Sequence, residues 1–327
     1  MKTAAAGRAR GTPLKSGALQ QILAFASLIV LVLFFSAASS NFFQFDNIVG
    51  ILLSTAVTGV LALGSTFVIV TGGIDLSVGT VMTLSSVMTG VFIVGMGLPV
   101  PIGIAGGILT GAVCGLLSGL SIAKMNIPPF IATLAMMMIA KGLALVISGT
   151  KPIYFTSVKG FSDIALSSVI PGLNIPNAVL IFFAAALLGG LLLTKTIVGR
   201  YNFALGSNEE ATRLSGVNVD FWKVVIYTIT GIFTGIAGII MASRLNSAQP
   251  ALGAGYELEA IAAVVIGGTS LSGGKGTILG TVIGALIMSV LTNGLRIMSV
   301  PQEWQTVVVG IVIMLAVYTD MMRRRKK

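Results

Sequence analysis

Apolar residues in this chain gather into ten stretches, at about 18–38, 47–71, 76–96, 101–123, 128–148, 177–194, 223–242, 258–272, 277–295 and 303–320. Most approach the roughly 20 residues that a helix needs to cross a bilayer. Turn-forming breaks separate them: "SSNFFQFDN" after the first, "GLPVP" after the third, "KMNIPP" after the fourth. A longer polar loop, 149–176, precedes the sixth. The pattern predicts an all-α polytopic membrane protein with a single transmembrane domain over 1–327 and about ten membrane helices.

The eighth stretch is too short for a straight span. Only fifteen uncharged residues separate Glu259 from Lys275, and Gly267, Gly268, Gly273 and Gly274 are among them. A broken or re-entrant segment near 258–272 is expected, of the kind that lines transport paths. An eight-span version, with 258–295 partly re-entrant, is the alternative. "GGIDLS" (72–77) is echoed by "GGTSLS" (267–272), which fits an internal repeat and equally fits chance in a glycine-rich chain.

Composition closes the soluble option that 327 residues would otherwise leave open, since 55% are hydrophobic and only 9% charged. Soluble chains carry about 25% charged residues. From Leu76 to Ala123 there is no charge at all. The first stretch exceeds the 7–15 apolar residues of a cleavable signal, so it reads as a retained helix. The net charge of +10 does not make nucleic acid an expected partner, because no basic stripe is interleaved with aromatics. Cys114, the one cysteine, reads as a small buried hydrophobe, and with no histidine a metal site or a hydrolase triad is not expected.

Where the cations sit gives an orientation. With the N-terminus in the cytoplasm, inner segments hold Lys2, Arg8, Arg10, Lys15, Lys124, Lys195, Arg200, Arg213, Lys223, Lys275 and the terminal "RRRKK". Outer segments hold only Lys151, Lys159, Arg244 and Arg296, while Lys141 falls inside the fifth span, where it could snorkel. Both termini are therefore expected inside, with 1–17 a cytoplasmic basic tail, 195–222 a cytoplasmic loop and 149–176 an outer loop.

Within that inner loop, "GSNEEATRLSGVNVD" (206–220) reads like a surface helix of a soluble protein. Asn208 is a good N-cap, and Glu209 and Glu210 complement the first turn. Leu214 can face a partner while Arg213 stays solvated, and Gly216 is a natural stop. Glu210-Ala211-Thr212, three residues, then Gly216 resembles the EAA-x-x-x-G signature of bacterial ABC import permeases. Thr212 stands where that signature usually has a second alanine, and no Leu-Pro follows. "TGGIDLSVG" (71–79), "NEEATRLSGVNV" (208–219), "RLNSAQP" (244–250) and "GYELEAIAAVVIGGTSLSGGKGTILGT" (255–281) together resemble the ribose-type monosaccharide permeases of ABC importers.

That resemblance implies a ten-helix permease of the type II-like importer class in a bacterial inner membrane. It implies as partners a second copy of the permease, surrounding lipid, a periplasmic sugar-binding protein and a cytoplasmic ATPase that holds ATP and Mg. It makes Asn208, Glu209, Glu210, Ala211, Arg213 and Gly216 the ATPase-coupling residues. The chain itself brings no cofactor and is not expected to be an enzyme. "GTSLSGGKGT" (268–277) fails as a phosphate loop, because Gly276 follows Lys275 where Ser or Thr is required.

Polar residues in or beside the spans are the candidates for a gate or path: Asp75, Ser77, Glu257, Glu259 and Asn293, with Thr66, Ser85 and Ser86 as further hydroxyls. Asp75 could instead cap the third helix. Glu257 and Glu259 could stabilise a helix start, or one could pair with Arg244. A carrier that needs no ATPase, proton-coupled through Asp75 or Glu259, is the competing function.

Overall fold

The computed structural model describes residues 16–170, 172 and 174–325. The basic tail over 1–17 thus lies almost wholly outside the described residues, as do Lys326 and Lys327. In chain order the helices begin with α1 (Ser16–Ala38), α2 (Phe45–Val70) and α3 (Val78–Gly90), which continues as a π-turn over Val91–Gly95. Then come α4 (Val100–Lys124), α5 (Pro129–Ser148), strand β1 (Ile153–Tyr154), α6 (Asp163–Leu166), α7 (Asn177–Lys195), α8 (Ile197–Ser207) and α9 (Glu209–Leu214). The last are α10 (Val219–Leu245), strand β2 (Ser247–Ala248), α11 (Tyr256–Ile266), α12 (Ile278–Ile297) and α13 (Gln302–Arg325).

Nine helices among the described residues are long and apolar enough to span a membrane. The remaining stretch, the eighth, is α11, with 11 residues too short to cross alone. It starts and stops earlier than the expected 258–272, because Gly268 ends it in a left-handed conformation, φ 93°. The inner loop is also shorter than expected. α10 begins at Val219 because Asn218 caps it, accepting from the Phe221 amide at 3.1 Å.

α2 forms the centre, buried continuously from Thr55 to Val70. Around it pack α7, α10, α11 and α12. Lipid tails are as apolar as leucine, so helices in a bilayer gain by close approach rather than by hydrophobic burial. The glycine stripe Gly103, Gly107, Gly111, Gly115 and Gly119 supplies that approach. A methyl group built on Gly111 would strike the Gly231 carbonyl, and one on Gly231 would strike the Gly111 carbonyl. Gly115 lies against the Tyr227 backbone and Gly119 against Val224, so α4 and α10 meet main chain to main chain.

The connections 71–77, 195–218 and 267–277 meet at one end of the bundle. The loop 149–176 packs at the other end. Within its described residues β1 pairs antiparallel with β2, which follows α10. Phe155 and Phe161 stack beneath it with ring centres 3.8 Å apart, and Ser243 Oγ donates to the Phe161 carbonyl at 2.7 Å.

The echoed segments both close helices with the same two hydrogen bonds. Gly73 N donates to Val68 O and Gly72 N to Ile69 O; Thr269 N donates to Val264 O and Gly268 N to Val265 O. These are Schellman ends with Gly72 and Gly268 in the left-handed position. The structural match is therefore Gly72 with Gly268, one residue away from the match that the letters give.

Gly231→Leu is expected to destabilise the purified protein by about 1–3 kcal/mol, the usual cost of overpacking. Gly142→Leu, where nothing lies within 4 Å of an added methyl, should leave thermal unfolding unchanged. A melting series in detergent reads both.

Candidate functional site

α9 is set off from α8 by Asn208, whose extended backbone (φ −163°, ψ 105°) breaks the helical run. Its Oδ1 accepts from the Ala211 amide at 2.9 Å, the expected N-cap. Gly216 ends the helix at φ +84°, with Gly216 N donating to Arg213 O and Val217 N to Thr212 O. A six-residue helix has almost no internal stability, so both ends have to be closed in this way. Only Thr212 of α9 is buried; Glu210 and Ala211 are exposed, and Leu214 is 83% exposed.

Charges fasten α9 to its surroundings. Lys223 Nζ lies 2.8 Å from Glu209 Oε1, and Arg213 Nη2 lies 3.6 Å from that oxygen and 3.2 Å from Asp220 Oδ1. Asp220 Oδ2 is 3.3 Å from Lys124 Nζ, at the last residue of α4. Arg213 stays solvated, as expected, and is also paired: Asp220 lies seven residues ahead on the next helix, within its reach. Sequence reasoning counted Lys124 and Lys223 toward orientation and gave neither them nor Asp220 a pairing role. Glu210 makes no ion pair among the described residues.

Behind α9, three connections touch through bare backbone. A methyl on Gly206, near the end of α8, would strike the Val70 carbonyl and crowd the Gly274 amide. Gly274 N donates to Val70 O at 2.9 Å, and Gly273 lies against Gly72 N. The end of α2, the end of α8 and the loop before α12 therefore share one glycine junction.

The path candidates do not form a single site. Asp75 is buried, and its Oδ1 accepts from Ser77 N at 2.8 Å and Ser77 Oγ at 2.6 Å. It closes a turn and does not cap α3, whose N-cap is Ser77 without a side-chain bond. Thr133 of α5 supports that non-helical stretch, accepting from Leu76 N at 3.2 Å. Both Glu257 oxygens accept from Gly255 N at 3.1 Å, the helix-start role, and the carboxylate also lies against Gly79.

Glu259 accepts from Thr58 Oγ1 at 3.3 Å, whereas Arg244 reaches the Leu53 carbonyl at 3.5 Å, so the two acids are not paired with Arg244. Asn293 donates to Asn47 Oδ1 at 2.9 Å in a separate corner between α12 and α2. Thr66 bonds Thr281 at 2.7 Å between buried helices. Cys114 is buried. Among the described residues no group of three or more His, Cys, Asp or Glu could hold a metal.

Residues 47–317 match the family model described as "Branched-chain amino acid transport system / permease component". The chain is 42% identical over 294 residues to the ribose import permease protein of Escherichia coli (strain K12), covering 90% of this chain and 91% of that one. It is 44% identical over 305 residues to the ribose import permease protein of Bacillus subtilis (strain 168), covering 93% and 94%. It is 34% identical over 371 residues to the xylose transport system permease protein of Haemophilus influenzae (strain ATCC 51907 / DSM 11121 / KW20 / Rd), covering 96% and 99%.

Asn208→Ala removes a cap worth about 1 kcal/mol, so the α9 amides should exchange with solvent roughly fivefold faster. Asp220→Asn should loosen α9 in the same measurement and also release the end of α4, seen as faster exchange at Ala123 and Lys124.

Proposed function

The chain belongs to the branched-chain amino acid transport system / permease component family, and on that premise we propose that it is the membrane-spanning subunit of an importer for ribose or a related monosaccharide, powered by a separate ATPase. It is a multi-pass membrane protein. The curated relatives named for ribose and xylose support a sugar cargo over an amino acid. Charge agrees: a zwitterion passing through a bilayer calls for fixed partners of both signs, and the long spans contain few charged residues away from their ends.

The observation that carries the reading is α9. It stands outside the bundle, closed at both ends, and turns Glu210, Ala211 and Leu214 away from the protein. The ATPase, holding ATP and Mg, docks on that face and pushes it as its nucleotide-binding modules close. Arg213, Asp220 and Lys124 carry the displacement to the ends of α10 and α4, and the Gly206 junction carries it to the turn before α3 and the loop before α12. A periplasmic binding protein delivers the sugar, which crosses between two copies of this chain in a bacterial inner membrane. Both termini and α9 face the cytoplasm.

Proteoliposomes test this. D-ribose uptake should require the binding protein, the ATPase and ATP together. Glu210→Lys and Leu214→Asp should each lower uptake by about tenfold or more, with the chain still inserted at normal abundance. Uptake by the chain alone under an imposed proton gradient would instead identify an ATPase-independent carrier.

A further inference from the structure

Lys141 is the one charged residue inside α5. Seven residues remain to Ser148, so roughly 10 Å of helix separates it from the nearer end, at a rise of about 1.5 Å per residue. That is further than an ammonium reaches comfortably by snorkelling, and a lysine at mid-bilayer is costly against lipid. Its neighbours Met138, Ile139 and Leu143 are exposed and apolar, as a lipid face demands.

Lys141 instead borders a shallow, water-sized cleft of about 10 Å³ together with Thr80, Thr83, Pro250, Gly253 and Ala254. The wall opposite α5 is the non-helical crossing ahead of α11. Gly253 presses its backbone on Gly79 and Thr83, which brings the crossing down to the first turn of α3. Thr80 Oγ1 donates to Ser77 O at 3.0 Å and Thr83 Oγ1 to Gly79 O at 3.2 Å, so each keeps a lone pair, and each is 4% exposed in this conformation. Irregular backbone is tolerated at membrane depth where it is buried in protein or lines water.

We propose that this cleft is a polyol-contact site on the transport path, with Lys141 donating to sugar hydroxyls and Thr80 and Thr83 accepting from them. The inference rests on the monosaccharide reading above and deepens it. It also assigns the face of α3, α5 and residues 249–255 to the path rather than to lipid. In the conformation seen, the cleft has room for little more than a water molecule, so the sugar is touched in passing and never enclosed. A weak, open contact suits a path that must release its cargo.

The test uses the assembled complex in vesicles, with Cys114→Ala as background. Lys141→Cys should react with a hydrophilic thiosulfonate at least tenfold faster than Ile139→Cys on the same helix. Saturating D-ribose with binding protein and ATP should slow that reaction. Lys141→Met and Thr83→Val should each lower D-ribose and D-xylose uptake about tenfold while ATP hydrolysis persists. Labelling at Lys141→Cys as slow as at Ile139→Cys overturns the site, as does full uptake by Lys141→Met. A wild-type complex that takes up neither sugar counts instead against the proposed function.

Discussion

The backbone-to-backbone contact of α4 with α10 is the interaction on which the remaining architecture depends. In hydrocarbon there is no water to expel from between two helices, so attraction rests on how closely their atoms approach. Gly111, Gly115 and Gly119 facing Gly231, Tyr227 and Val224 bring the axes together with no side chain between them. A pair so tightly packed moves as one body. Lys124 and Asp220 sit at matching ends of that pair, 3.3 Å apart, at the surface where α9 is held.

None of the four ion pairs around α9 is deeply buried, and exposed pairs contribute about 0–1 kcal/mol each. Their importance is positional. Asp220 is shared between a cation on α9 and one on α4, so in the proposed coupling a tilt of α9 would pull on two membrane helices together. The glycine junction adds a second route of a different kind, a steric one: Gly206, Val70 and Gly274 touch through main chain, with no side chain to absorb a shift. In the proposed coupling the ionic and steric routes lead to different places, the first to α4 and α10, the second to the turn before α3 and the loop before α12.

Much of this was legible in the sequence because the bilayer enforces it. A stretch of 47–71 became α2 at Phe45–Val70, and 177–194 became α7 at Asn177–Lys195, since span length and helical periodicity leave little freedom. Local chemistry was legible too: Asn208 and Gly216 act within a few residues of themselves. What sequence could not show was pairing across distance. Lys124 stands 96 residues before Asp220, and counting it toward orientation gave no hint of its partner. Asp75 misled for a related reason. Its carboxylate satisfies Ser77 two residues on, a turn, where the same letters allow a helix cap.

On the proposed reading, α9 is a cytoplasmic handle gripped by another protein. The most direct measurement is the reactivity of Leu214→Cys, in a Cys114→Ala background, toward a membrane-impermeant maleimide in vesicles of either orientation. Modification is expected in inverted vesicles only, with protection there once the ATPase is bound. Modification in right-side-out vesicles, or reactivity in inverted ones that the ATPase does not change, would contradict it.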